Sequence, residues 1–119
     1  MKVLIVEDEP SVAQNLCDIL LEINPSIEII AILETVKDTC SWIKHHPSPD
    51  LGFFDIKIAD GNSFEIFEKV KVPFPVVFAT AFDDFALKAF KVNSVDYILK
   101  PVKKSALEMA LDKYYNLHY

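Results

Sequence analysis

Five short apolar runs, each followed by an amphipathic stretch, constrain this chain more than any other feature of it. The runs are Val3 to Val6, Ile27 to Leu33, Leu51 to Phe54, Val76 to Ala79 and Tyr97 to Leu99. Each is short enough for a strand and is mostly β-branched or aromatic. After each run, apolar residues recur at helical spacing. They are Val12, Leu16, Ile19, Leu20 and Ile23; Val36, Cys40 and Ile43; Phe64 and Phe67; Ala86, Ala89 and Phe90; and Leu107, Ala110, Leu111 and Tyr114. Pro25 closes the first helix, and Asp83 is placed to cap the fourth. Strand then helix, five times over, predicts an α/β fold: a doubly wound five-stranded parallel sheet covered on both faces. The alternation of Ile27, Glu28 and Ile29, and the acid at Asp96, mark the second and fifth strands as edges. That fits the flavodoxin-like order 2-1-3-4-5, with the ligand crevice beyond the carboxyl ends of the central strands.

No repeat, low-complexity tract or Gly/Ser-rich linker divides the 119 residues, so residues 1–119 are expected to form one domain, with no output domain in this chain. A formal net charge of −6 argues against contact with nucleic acid by this domain itself, since phosphate affinity needs clustered Lys and Arg. The opening MKVLIVEDE has too short an apolar run for a signal peptide or a membrane span, which predicts a cytoplasmic chain without membrane contact. Cys17 and Cys40 lie at helical apolar spacing and are expected as buried thiols rather than a disulfide. His45, His46 and His118 read as solvated helix-end histidines, and Trp42 as packing.

One run is broken by charge. In LGFFDIKI, Leu51 to Ile58, a strand that should fill the middle of the sheet gives way to Asp55. The first strand runs into Glu7 and Asp8, the fourth ends at Thr80, and the fifth ends at Lys100 before Pro101. In the predicted order these ends are adjacent, so two or three carboxylates crowd together and destabilise the fold unless a cation intervenes. Oxygen ligands alone, with room for water and phosphate, suit Mg2+ (or Mn2+) rather than zinc. Beside such an ion Asp55 can act as a nucleophile toward phosphorus, with Lys100 and the Thr80 hydroxyl positioned for the phosphoryl oxygens.

These residues carry a resemblance. VLIVEDEP, FFDIKIADGNSFEIF and VVFATAFDDFALKAFKVNSVDYILKPV together resemble the receiver domain of bacterial two-component response regulators, over the whole chain. ALKAF and VDYILKP are most similar to receivers of the LytTR (LytR/AlgR-like) class, whose partner domain binds DNA. The resemblance implies that Asp55 is the phosphoacceptor for a histidine kinase, that Glu7 and Asp8 bind Mg2+ with Asp55 and the Lys57 backbone carbonyl, and that Thr80 and Lys100 grip the phosphoryl group. It implies a cis Lys100–Pro101 bond, and a switch in which Tyr97 turns inward as Thr80 moves. The face of the fourth helix, fifth strand and fifth helix then reports the change, often as a homodimer. Lys57 and Phe82 match positions that tune autodephosphorylation, and a bulky Phe82 beside a basic Lys57 predicts slow hydrolysis. Ala59 and Ser63 depart from the usual proline and glycine, so the loop is expected to differ while Asp60-Gly61 still turns.

The expected function is therefore signalling: phosphorylation of a two-component phosphoprotein that controls a transcription-regulating LytTR output, catalytic only toward itself. A single-domain receiver acting through protein contacts is the alternative. An aspartyl-phosphate phosphohydrolase would need an acid/base aspartate two residues after the nucleophile, where Lys57 stands. A flavin-binding protein would offer Ser, Thr and Gly in its first loop, where EDEP repels phosphate.

Overall fold

Strand β1 (Lys2–Val6) lies inside the sheet and pairs in parallel with both β2 (Glu28–Leu33) and β3 (Leu51–Phe54). The computed structural model describes residues 1–92 and 94–118; the expectation placed on the His118 side chain lies outside what is described. Strand β4 (Val76–Thr80) follows β3, and β5 (Asp96–Leu99) completes a parallel sheet of order β2-β1-β3-β4-β5. Helices α1 (Pro10–Ile23), α2 (Val36–His45), α3 (Phe64–Lys69), α4 (Ala86–Lys91) and α5 (Lys104–His118) alternate with the strands. This is the architecture that the five-fold alternation predicts, with β2 and β5 as the edges.

Alternate residues of each strand supply the two cores, as a period of two requires. Val3, Ile5, Phe53, Val77 and Ile98 pack against Leu16, Leu20, Leu107 and Leu111 of α1 and α5. Leu4, Val6, Phe54, Val76 and Phe78 pack against Val36, Cys40, Phe64, Ile66 and Ala89 of α2, α3 and α4. The second core is aromatic: Phe78 meets the rings of Phe54, Phe64, Phe67 and Tyr97 at centroid distances of 5.1 to 6.5 Å. It also dictates the glycine in β3, because a Cβ at Gly52 would stand 2.8 Å from the Phe54 ring and 2.9 Å from that of Phe74. Cys17 and Cys40 are buried and free. His45 and His46 are exposed, their Nδ1 atoms 2.7 and 2.9 Å from the carbonyls of Ser41 and Trp42, and the His46 ring stacks on Trp42.

Two expectations are corrected. Asp83 does not cap α4: Phe85 holds the N-cap position without a side-chain hydrogen bond, because the helix begins only at Ala86, three residues beyond the acid. Phe90 does not join the core either. In a helix of only 6 residues, Ala89 is the buried member of the stripe, and Phe90 is 78% and Leu87 71% exposed. Phe85, by contrast, is half-buried and its ring lies 6.2 Å from that of Phe64.

Candidate functional site

Register brings the charged strand ends to one level. Val6 pairs with Phe54, Phe54 with Phe78, and Thr80 with Leu99, so the residues that follow, Glu7, Asp55 and Lys100, emerge beside Thr80. Backbone hydrogen bonds continue past the strands and fix them there: Asp55 N donates to Val6 O at 2.9 Å and Lys100 N to Thr80 O at 2.8 Å. The sheet is therefore still holding the chain rigid at the point where these side chains leave it.

The carboxylates are nearly enclosed, Glu7 at 4% and Asp55 at 8% exposure. Glu7, Asp8 and Asp55 each offer an oxygen, and these atoms lie within 4.8 Å of one another. Lys100 answers the crowding: its Nζ donates to Asp55 Oδ2 at 2.8 Å and also to Glu7 Oε1. The other oxygens are held by the backbone, Asp55 Oδ1 by the Ile56 amide at 2.7 Å and Glu7 Oε2 by the Glu9 amide at 3.1 Å. Burial pushes the Glu7 carboxyl above its usual range, against the pull of the Lys100 ammonium. Burial also works to lower Lys100, but its hydrogen bonds to Asp55 and Glu7 outweigh that and hold it above the ordinary lysine value.

Three carboxylates facing one ammonium leave two formal negative charges in the cleft. An all-oxygen donor set with that excess fits a hard divalent cation and offers nothing to a soft one. Thr80 is fully buried, and its Oγ1 lies 3.4 Å from the Phe82 amide. Tyr97 is half-buried and its hydroxyl donates to the Phe82 carbonyl. Burial, with the charges of Asp84, Asp83 and Asp55, pushes its phenol up. The Lys57 ammonium lies 4.2 Å above the Phe82 ring and 5.9 Å from that of Phe85, so Lys57 and Phe82 are partners in this structure. The Lys100–Pro101 bond is cis.

The loop after Asp55 holds residues whose positioning role the sequence reading missed. Lys57–Ile58 and Gly61–Asn62 form a small antiparallel ladder around the Asp60-Gly61 turn, with Gly61 at φ 156. The Asp60 carboxylate accepts the amides of Val36 at 2.6 Å and Lys37 at 3.1 Å, capping α2 from another segment of the chain. Asn62 Oδ1 accepts the Phe64 amide at 2.9 Å while Glu65 reaches back to the Asn62 amide at 2.8 Å. That second arrangement is a reciprocal cap that the spacing of Asn62 and Glu65 signals in the sequence. Nothing local signals the first, since the partners are 24 residues apart.

The sequence matches the family described as response regulator receiver domain over residues 3–112. The chain belongs to that family. It is 41% identical over 117 residues to the sensory transduction protein LytT of Bacillus anthracis, covering 96% of this chain and 47% of that protein. With the transcriptional regulatory protein LytR of Staphylococcus aureus (strain N315) the identity is 38% over 116 residues, 95% of this chain and 46% of the other. The receiver thus spans about half the length of the curated relatives it matches. The crystal structure of the response regulatory domain of mrkE from Klebsiella pneumoniae superposes with a TM-score of 0.85 at 29% identity, covering 98% of this chain and 97% of that one. Among the described residues no helix of this receiver is long and apolar enough to cross a membrane.

Proposed function

We propose that Asp55 is the phosphoacceptor of this receiver and that a histidine kinase is the donor. One observation carries the reading: Asp55 is a nearly enclosed carboxylate at the end of a central strand, paired with Lys100 at 2.8 Å and flanked by two further carboxylates within 4.8 Å. An oxygen of Asp55 attacks phosphorus, the bond from phosphorus to the donor's imidazole nitrogen breaks, and the electron pair leaves with the imidazole. Glu7, Asp8, Asp55 and the Lys57 carbonyl would hold Mg2+ or Mn2+, which supplies charge neutralisation for the incoming phosphoryl group. Lys100 already bridges Asp55 and Glu7, and it moves its ammonium to a phosphoryl oxygen while Thr80 donates its hydroxyl to another.

The output follows from Thr80, Phe82 and Tyr97. Phe82 lies between the other two, its amide toward Thr80 and its carbonyl held by Tyr97, so a Thr80 displacement bears on Tyr97 directly. The face of α4, β5 and α5 carries Leu87, Phe90, Leu99 and Met109, each at least half exposed, which suits a homodimer or partner contact that the switch regulates. Residues 1–119 act as one receiver domain in the cytoplasm and control a LytTR DNA-binding output. The domain turns over no diffusible metabolite; it promotes its own phosphorylation and a slow hydrolysis. Phe82, held by the Lys57 ammonium, obstructs the attacking water, so Phe82→Ala speeds loss of the phosphoryl group.

The test is metal-dependent labelling. Wild type incubated with acetyl phosphate gains a hydroxylamine-labile phosphoryl group with Mg2+ and none with a chelator. Glu7→Gln combined with Asp8→Asn raises the Mg2+ concentration needed by at least about tenfold, the effect of removing roughly 1.4 kcal/mol of binding. Equal labelling with and without chelator contradicts the assignment.

A further inference from the structure

A groove of about 430 Å3 runs between α2 and the end of α3, and its lining is basic. Lys37, Lys44 and His45 come from α2 and Lys69 closes α3, with Ser41 between them and the buried Cys40 beneath. No acid lines the groove, in a chain whose formal net charge is −6. Lys37, Lys44 and Lys69 are exposed, and among the described residues none of the three has an ion-pair partner. Burial pushes the Cys40 thiol up against the pull of the Lys69 and Lys44 ammoniums, so both charges act on the floor of the groove. Lys69 acts on Asp60 as well, but that carboxylate is turned to the Val36 and Lys37 amides.

Helix electrostatics explains part of this pattern. Lys44 and His45 stand in the last turn of α2 and Lys69 in that of α3, where cations complement the macrodipole. Lys37 stands in the first turn of α2, where a cation opposes it, so helix formation gives no reason for a lysine there. Lys37 and Lys44 lie two turns apart on one stripe of α2, a rise of about 10 Å. That spread suits charges set apart along a chain better than the packed oxygens of one phosphate. In an extended polyproline II segment, residues three apart share a face and stand about 9 Å from each other. The features that single out phosphate are missing or taken: the chain has no arginine, and Asp60 already holds the amides at the start of α2. We propose that the groove between α2 and α3 docks an extended acidic peptide segment of a partner protein. The carboxylates of the segment pair with Lys37, Lys44 and Lys69. Because α2 joins β2 to β3, the groove lies toward the β2 edge of the sheet and leaves the face of α4, β5 and α5, at the other edge, uncovered.

The experiment titrates the protein into a fluorescently labelled peptide with glutamate at every third position, and into its glutamine counterpart, and follows anisotropy. The salt is about 0.1 M, where exposed charges more than about 10 Å apart are screened from one another. The expected result is saturable one-to-one binding of the glutamate peptide and none of the glutamine one. Lys37→Gln, Lys44→Gln and Lys69→Gln combined should weaken binding about tenfold, since each exposed ion pair contributes little by itself. Lys2→Gln, Lys91→Gln and Lys103→Gln combined change the net charge equally at exposed lysines outside the groove, and should leave the affinity within about twofold. Amide resonances of wild type, which need no variant, should shift most at Ser41, Lys44 and Lys69. No saturable binding, equal weakening in the two triple variants, or amide shifts centred elsewhere overturns the proposal. An oligonucleotide or inorganic tripolyphosphate that displaces the peptide at a lower concentration of charge overturns it in favour of a phosphate ligand. The readout does not involve Asp55, so either result leaves the phosphoacceptor reading as it was.

Discussion

The loops that leave β3 and β4 both border Asp55, yet they are built differently. The loop after β3 secures two helix starts: Asp60 caps α2, whose own N-cap Thr35 accepts the Asp38 amide at 2.9 Å, and Asn62 and Glu65 cap α3 reciprocally. After β4, α4 is short, has no side-chain cap, buries only Ala89 and presents Leu87 and Phe90 to solvent. Caps and buried contacts are what set local opening free energies. The β3 side is thus a fixed platform for Asp55, the proposed phosphoacceptor, and the β4 side is the part whose arrangement a local charge can bias. The contrast predicts amide exchange that is faster throughout α4 than in α2.

Phe78 is the support the two sides share, since its ring meets Phe54, Phe64 and Phe67 on one side and Tyr97 on the other. Phe78→Ala should cost about 3–5 kcal/mol in denaturant unfolding and erase the difference in exchange. A surviving difference would mean that the two loops are stabilised independently.

Asp60→Ala attacks the platform itself, leaving two α2 amides without their acceptor, and should cost about 1–2 kcal/mol. The same carboxyl predicts a pH dependence. Its slight burial works upward, but the Val36 and Lys37 amides hold it below its ordinary value of 3.8. A depressed folded pKa stabilises above the unfolded value and is lost as pH falls through the folded one. The stability difference between wild type and Asp60→Ala should therefore shrink in acid titrations below about pH 4.

A smaller effect of opposite sign belongs to Ser63. It is fully buried, and its Oγ is the buried side-chain oxygen without a hydrogen-bond partner among the described residues. Ser63→Ala removes that desolvated group and should raise stability by about 1 kcal/mol in urea. Smallest of all, Leu87→Ser and Phe90→Ser on the β4 side should each change stability by less than about 0.5 kcal/mol, because exposed side chains contribute little to folding. A large loss in either would place α4 with the platform.

How far the sequence reaches can be read from the same residues. LGFF and VVFAT show their strands because β-branched and aromatic runs have few other folds open to them, and the strand ends follow from topology once the order is set. Hence Glu7, Asp8, Asp55, Thr80 and Lys100 could be placed together before any coordinates. The helical stripe at Leu107, Ala110, Leu111 and Tyr114 is likewise buried throughout. Where packing is thin, pattern misleads: in the short α4 the apolar Phe90 faces solvent, and Asp83 lies too far upstream to cap. The link from Asp60 to α2, the ion pair that joins Lys100 to Glu7 as well as Asp55, and the seat of Lys57 on Phe82 are long-range contacts between side chains. Period and spacing carry no record of them.

The central claim is the chemistry of Asp55, and intact-mass spectrometry tests it most directly. Wild type and Asp55→Asn are incubated with acetyl phosphate and Mg2+, and the modified residue is located by peptide mapping. The account predicts one phosphoryl adduct on wild type, mapped to Asp55, and none on the variant. An adduct that persists in folded Asp55→Asn, or one that maps to Glu7 or Asp8 in wild type, contradicts it.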